Sequence, residues 1–429
     1  MRRLNLVMSL TLLAALACGD DEDAGPSPGP DGSMNETGGS GGGTNAGSGG
    51  SNGGSGGSTA GSGGSNAGSG GGNAGSGGVV SSMDAATDSG GDSGSSGGDA
   101  ELDDDADAPG GSLVRAWPTD DAVAEVDDMG AFGTDVSGIT YQPNGVGPGA
   151  LWASMNLQPT KVYRLEKSGA TWARVMVNNW DDGKTLLGTD GAAIPDAEGV
   201  TMAEHTDDIV YIASERYLNA AASSTSLNAV LSYAVNGGAL SLTAMREWNL
   251  TAMLPTTAPN QGIEAVTWIP DSALMAAGFV DETRGAAYDP SNYPTHGTGL
   301  FVVGLESQSK LSFFALGAAG DIALIGRAET ELAGVMGLEY DRDVGYLWAY
   351  CDNVCENRAV ILTVNDDGAF ERRAELMRPA SMPNLNNEGI AIAPESECAG
   401  GKKPFFWIED GNSNGHVLRA GTIPCGPFL

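Results

Sequence analysis

The chain has 429 residues, 66 of them Gly, and its 55 acidic against 21 basic side chains give a formal charge of −34. That balance argues against a nucleic-acid binder, whose phosphate contacts need a basic face. Between residues 38 and 78, 22 of 41 residues are Gly, which excludes a chain folded over its whole length.

Residues 1–18, MRRLNLVMSLTLLAALAC, place Arg2 and Arg3 ahead of a mostly apolar run from Leu4 to Leu16. The small-residue site Ala15-Leu16-Ala17 follows. This is the pattern of an export signal, too short to span a bilayer as a mature helix. The site abuts Cys18 and resembles a bacterial lipobox, which implies that Cys18 is lipidated and becomes the new N-terminus. Ala15 stands where that pattern prefers Leu. An ordinary secretory signal with an incidental Cys is the alternative. No other apolar run reaches spanning length, so membrane contact is expected through the lipid alone. The expected location is extracytoplasmic, in a bacterial cell envelope, at the outer membrane or cell surface.

Residues 19–110 contain no Lys or Arg and 15 Asp or Glu, with almost no large apolar side chain. Such a stretch buries too little surface to offset its ordering entropy. It reads as a disordered tether, with an r.m.s. span of roughly 50 Å for a flexible coil. Matches to Gly-x-Ser-x-Gly inside it, such as Gly49 to Gly53, lack the strand and helix that a nucleophile elbow requires.

Residues 111–429 carry the folded domain, with a formal charge of −21. Five segments share one motif around a small residue: VSGITYQP (136–143), AEGVTMAE (197–204), IEAVTWIP (263–270), MGLEYDRD (336–343) and NEGIAIAP (387–394). Their anchors are Gly138, Gly199, Ala265, Gly337 and Gly389, spaced 61, 66, 72 and 52 residues apart. Second strands are predicted at 150–156, 209–216, 274–282, 345–353 and 404–412, and third strands at 161–169, 229–238, 299–307, 359–368 and 416–421. Fourth strands are predicted at 173–179, 242–250, 311–317 and 371–377. Four short strands per repeat of ~60 residues, five times over, is a β-propeller pattern. The chain therefore reads as an all-β propeller of five four-stranded blades, with residues 112–118 supplying the last strand and closing the ring. A pair of β-sandwiches is the alternative.

Beyond Cys18 the cysteines are Cys351, Cys355, Cys398 and Cys425. An even number in an exported domain points to disulfides, paired 351–355 and 398–425 by proximity in the repeat. A four-cysteine zinc site is the alternative, which the spacing fits poorly.

The residues just before the anchors are Ser137, Glu198, Glu264, Met336 and Glu388. Three glutamates in register on channel-lining strands would repel unless a cation lies between them or some are protonated. Oxygen-only ligands suit Ca²⁺. Asp135, Asp196 and Asn386 recur two residues earlier and could add oxygens, and Glu339 could replace the missing acid of blade 4. Glutamates pointing into solvent are the alternative. The ends of the second strands (Asn156, Glu215 with Arg216, Asp281 with Glu282, Asp352, Glu409 with Asp410) would form a rim. Asp410-x-Asn412-x-Asn414-Gly415 copies the opening of an EF-hand loop, with Gly421 where the closing Glu belongs. The three histidines, His205, His296 and His416, are scattered, and none has a matching nucleophile.

The order S-G-I-T-Y, D-A-E-G-V, G-I-E-A-V, M-G-L-E-Y-D and N-E-G-I resembles the SdiA-regulated family of bacterial propellers over about residues 130–420. D-A-E-G (196–199) and N-Q-G-I-E (260–264) are similar to the "esterase-like activity of phytase" propellers. The resemblance implies a propeller with a Ca²⁺ site, in which Glu198, Glu264 and Glu388 look like the family's acidic positions. Ser137, Met336 and Ala265 depart from the pattern. The resulting expectation is a lipid-anchored, Ca²⁺-binding propeller that serves as a binding or scaffold module for a protein, glycan or small molecule. The alternative is a metal-dependent phosphoesterase or lactonase working in the channel.

Overall fold

A computed structural model describes residues 114–205, 208–219 and 226–429. The signal segment, Cys18 and the tether lie outside the described residues. Among those described, no helix is long and apolar enough to cross a membrane.

The domain is a five-bladed β-propeller, and each blade is one antiparallel meander from the axis outward. Blade 1 runs Val136–Gln142, Ala150–Met155, Lys161–Ser168 and Lys184–Leu187, with Thr171–Arg174 as a side hairpin. Blade 2 is Pro195–Thr201, Ile209–Tyr217, Ala229–Ala234 and Arg246–Asn249. Blade 3 is Ile263–Pro270, Gly299–Leu305, Lys310–Leu316 and Ile322–Glu329. Blade 4 is Gly337–Asp341, Tyr346–Tyr350, Ala359–Val364 and Phe370–Leu376. Blade 5 is Asn387–Ile392, Lys402–Glu409 and Leu418–Pro424, completed by Ala124–Glu125 from the N-terminal side. The middle strands read as near-continuous apolar runs because blades stack face to face and bury both sides of each sheet. Gly299–Leu305 and Tyr346–Tyr350 are buried at every residue. Five apolar clusters result, one in each gap between neighbouring blades.

The anchors are where the inner strands meet. A Cβ on Gly138 would lie 2.6 Å from Glu198 O and 2.8 Å from Gly199 Cα; one on Gly199 would lie 2.8 Å from Glu264 O and from Val266 N. On Gly389 it would meet Ser137 O and Ile139 N, both at 2.8 Å. Blade 1 thus touches blade 2, blade 2 touches blade 3, and blade 5 returns to blade 1. Glycine recurs because only a residue without a Cβ lets these backbones approach so closely.

Several predicted elements move. The segment 274–282 is not the second strand of blade 3. Asp271–Ala276 is a short helix, entered through Pro270 with Asp271 in its first turn and Leu274 buried. The segments predicted as third and fourth strands become second and third, and Ile322–Glu329 becomes the fourth. The segment 173–179 is not the outer strand of blade 1: Asn178 and Asn179 turn the chain with φ of 56° and 60°, and Lys184–Leu187 takes that place. In 242–250 the pairing is split. Ser241–Thr243 crosses to pair in parallel with blade 1, and only Arg246–Asn249 stays in blade 2.

Ring closure from the N-terminal side is correct, but with a different strand. Val114–Arg115 pairs in parallel with Phe370–Leu376, as a fifth strand on blade 4. Trp117 then packs between blades 4 and 5, its ring 5.1 Å from Phe405 and 5.2 Å from Trp407. Its indole N–H donates to Thr422 O at 2.8 Å. Pro118 ends that stretch, having no N–H for a ladder, and the closing pair forms at Ala124–Glu125. Both disulfides form as paired from the repeat, 351–355 and 398–425. That leaves no thiolate among these cysteines for zinc.

Candidate functional site at one mouth of the channel

The residue before each anchor reaches the channel because the inner strands are interrupted there. The ladder of blade 1 skips Ser137 and Gly138, that of blade 2 skips Glu198 and Gly199, that of blade 3 skips Glu264, and that of blade 5 skips Glu388. A bulge frees a residue from strict alternation and re-aims its side chain. Blade 4 has an unbroken ladder from Gly337 to Asp341 and presents Met336. Bulge and acid therefore coincide in three blades.

Carboxylate oxygens of Glu198, Glu264 and Glu388 lie within 4.8 Å of one another, and so do those of Asp196, Glu198 and Glu215. The first trio sits in a cavity of about 560 Å³ that is also lined by Asp135, Asn156, Asp196, Arg216, Asn260, Glu306, Asp352, Asn386 and Asp410. Among the described residues Arg216 is the single cationic side chain on that wall. Glu198 is 3% exposed and Glu264 7%.

Amides brace the acids. Asn156 Nδ2 donates to Glu198 Oε2 at 3.0 Å. Asn386 Nδ2 donates to Glu388 Oε1 at 2.9 Å and to Asp410 Oδ2 at 3.2 Å. The Ser137 hydroxyl, in a residue 1% exposed, has no well-directed hydrogen-bond partner. It stands beside Glu198 and Glu388 and favours the charged form of both.

Burial pushes the carboxyl groups up. For Glu198 the next causes are the charges of Asp196, Glu388 and Glu215, and its pKa stands well above the usual range. Glu264 is likewise raised well above it, by burial and then by Glu198 and Glu388. Burial and Asp410 bring Glu388 to about 8. Glu215 reaches about 7 through burial, although it accepts a bond from Gly262 N at 2.7 Å. Asp196 is raised by burial despite the Arg216 guanidinium, whose Nε is 2.5 Å away. Crowded, dry carboxylates of this kind either hold protons or are compensated by a cation. The wall offers carboxylate, amide and hydroxyl oxygens and neither His nor Cys, a donor set for a hard cation such as Ca²⁺.

Of the predicted residues, Glu198, Glu264, Glu388, Asp196 and Asp410 come together here. Glu339 does not. It lies two residues past its anchor, on the far side of the glycine constriction, beside Thr140 and Arg342, and burial raises it to about 8. Nor does the 410–414 stretch converge on one point. Asp410 faces the cavity, whereas Asn412 donates to Phe132 O and Asn414 to Glu125. Asp281 and Glu282 leave the predicted rim because blade 3 has a different second strand. Asp281 is buried under Thr283 and Tyr293, and Glu282 accepts from Arg327 N at 3.1 Å. Glu409 pairs with Arg419 at 2.6 Å away from the cavity. The residue missed from sequence is Glu306, which follows the true second strand of blade 3. Reading Pro-Asp-Ser at 270–272 as a helix start would have exposed it.

Beyond the constriction Arg342 reaches from blade 4 toward blades 2 and 3. It donates to Met202 O at 2.8 Å and Ala203 O at 3.0 Å and lies 4.7 Å over the Trp268 ring. Burial, then the Arg342 charge, lowers His205 to about 3. Its folded pKa is below the unfolded value of 6.5, so the unfolded chain binds more protons between those values, and stability falls as pH drops from 6.5 toward 3. Relative to His205→Gln, the protein should lose on the order of 3 kcal/mol between pH 7 and pH 4, allowing for partial exposure. Urea unfolding of both at each pH checks this.

No known family model matches the sequence, and no curated protein matches it significantly. Solved structures do resemble it in shape. One, provisionally described as a gluconolactonase, is 12% identical with a TM-score of 0.36, covering 72% of this chain and 94% of that one. Another, provisionally described as an exo-β-1,3-galactanase from Bifidobacterium bifidum, is 10% identical with a TM-score of 0.40, covering 73% and 95%. A third, from the mitotic checkpoint complex, is 9% identical with a TM-score of 0.35, covering 72% and 96%. At these scores they are likenesses of shape, and the five-bladed propeller stands on the chain's own ladders.

Proposed function

We propose that this chain is a lipid-anchored, extracytoplasmic propeller that holds Ca²⁺ at one mouth of its channel and presents that mouth as a binding site. The observation that carries the reading is the trio Glu198, Glu264 and Glu388, three carboxylates within 4.8 Å at bulged positions of three different blades. Asp196, Asn386 and Asp410 add oxygens around it. The lipid on Cys18 and the tether would hold the domain at the envelope surface, with a protein, glycan or small molecule as partner. A thermal melt of the mature chain in Ca²⁺ against chelator tests the metal. Ca²⁺ at about 100 times its Kd should add about 2.7 kcal/mol, and Glu198→Gln should remove most of the gain. An unchanged melting temperature in the unsubstituted protein contradicts the reading.

The size of the cavity favours a second reading, metal-assisted hydrolysis of a small ester or lactone. At about 560 Å³ the cavity has room for a small molecule beside an ion. A bound cation supplies Lewis acidity, and Glu215, at about 7, is a candidate base. Phosphate esters fit less well, since Arg216 alone would meet them. Turnover across a lactone and phosphate-ester panel, lost in Glu264→Gln, would establish this reading.

A further inference from the structure

The acids at the mouth form two overlapping trios that share Glu198. One is Glu198, Glu264 and Glu388. The other is Asp196, Glu198 and Glu215, all three buried. Only the second has a cation of the chain's own beside it. Arg216 Nε is 2.5 Å from Asp196 Oδ2, and Arg216 Nη2 is 3.8 Å from Glu215 Oε1 and donates to Asn260 Oδ1. Glu215 is 1% exposed, and its Oε1 makes no well-directed hydrogen bond, its charge partner being Arg216 at 3.8 Å.

Sequence position explains why this happens in one blade only. The chain leaves the second strand beside the cavity through Asn156 in blade 1, Glu306 in blade 3, Asp352 in blade 4 and Asp410 in blade 5, all neutral or acidic. Among the described residues, blade 2 alone brings a guanidinium to that level. Its side chain is 20% exposed, so one edge remains on the cavity while Nε and Nη2 face the acids.

We infer that Arg216 is a resident counter-cation that occupies the second trio and limits the mouth to one divalent ion. The inference rests on the Ca²⁺ reading above and sets its stoichiometry. A guanidinium is a permanent charge with a fixed fork of donors; it satisfies Asp196 without presenting a ligand to an ion. Removing it leaves three buried carboxylates with no cation of the chain's own between them. With one ion held by the first trio, Asp196, Glu198 and Glu215 would then be the residues to hold a second.

Native mass spectrometry of the mature chain with Ca²⁺, read beside calorimetric titration, tests this. The unsubstituted protein should bind one ion and Arg216→Met two, while Arg216→Lys, which keeps a charge, should stay at one. Should Arg216→Met not fold, Arg216→Gln carries the same expectation of two. One ion in both the unsubstituted protein and the charge-removing variant overturns the role of Arg216 and leaves the Ca²⁺ reading intact. Two ions in the unsubstituted protein overturn it also. No ion in either removes both readings. An ion that binds only once Arg216 is gone overturns the second-site claim, because arginine and metal would then compete for one position.

Discussion

In chelator the protein should lose stability as pH rises from 5 to 9, and added Ca²⁺ should restore it most at the alkaline end. The folded pKa values of Glu198, Glu264 and Glu388 are raised above the unfolded value of 4.5, Glu388 to about 8. The folded state therefore holds protons that the unfolded chain has released. Stability from these groups is fully present below pH 4.5 and is lost as pH climbs through the folded values. For Glu388 alone the loss is on the order of 5 kcal/mol. The three titrate against one another, so the sum is smaller than three such terms. Because a bound cation requires ionised ligands, its affinity should rise over the same window and its binding should release protons. Glu264→Gln should flatten the alkaline loss, since it removes a buried group that must otherwise ionise. Denaturant unfolding in chelator and in Ca²⁺ across this pH range checks both. A stability in chelator that does not change with pH, or a Ca²⁺ gain equal at pH 5 and pH 9, contradicts the account.

The second large effect concerns the glycine ring. Gly199→Ala and Gly389→Ala should each cost about 3 kcal/mol or more, whereas Gly337→Ala should cost about 1 kcal/mol. The contrast follows from what each new methyl meets. At Gly199 and Gly389 it would lie 2.8 Å from backbone atoms of the next blade, which cannot give without opening the ring. At Gly337 the nearest atoms are 3.2 to 3.4 Å away, and one of them is a side-chain carbon of Ile390. Blade 3 already carries Ala265 at this level. Equilibrium unfolding of the three variants decides it. Equal costs would mean that the ring relaxes freely, and that its narrow axis does not hold the acids in place.

Much of this was legible because the anchors obey a backbone constraint. A small residue at each closest approach, followed by strand alternation, marks the inner strands, and the preceding residue then falls at the channel mouth. That logic gave Glu198, Glu264 and Glu388 directly. It failed where one blade departs from the plan. In blade 3 a helix at Asp271–Ala276 and a hairpin intervene before the second strand. Apolar content at 274–280 imitates a strand, so the sequence puts Asp281 with Glu282 on that blade's rim, where the structure has Glu306. The bulges were not legible at all. Nothing in the spacing around Glu264 or Glu388 says that the ladder skips there, yet the skip aims the carboxylate inward. Glu339 erred for a related reason. It lies two residues past the anchor but three past Met336, the position that carries the acid in blades 2, 3 and 5, and on the unbroken ladder of blade 4 that carries its side chain past the constriction to the Arg342 end.

The central claim is tested most directly by the calcium content of the mature protein, equilibrated with Ca²⁺ at pH 8 and freed of unbound ion. A parallel sample should carry Glu198→Gln, Glu264→Gln and Glu388→Gln together. The account predicts one ion per chain in the first and none in the second. Calcium absent from the unsubstituted protein, or retained in full by the triple variant, would contradict it.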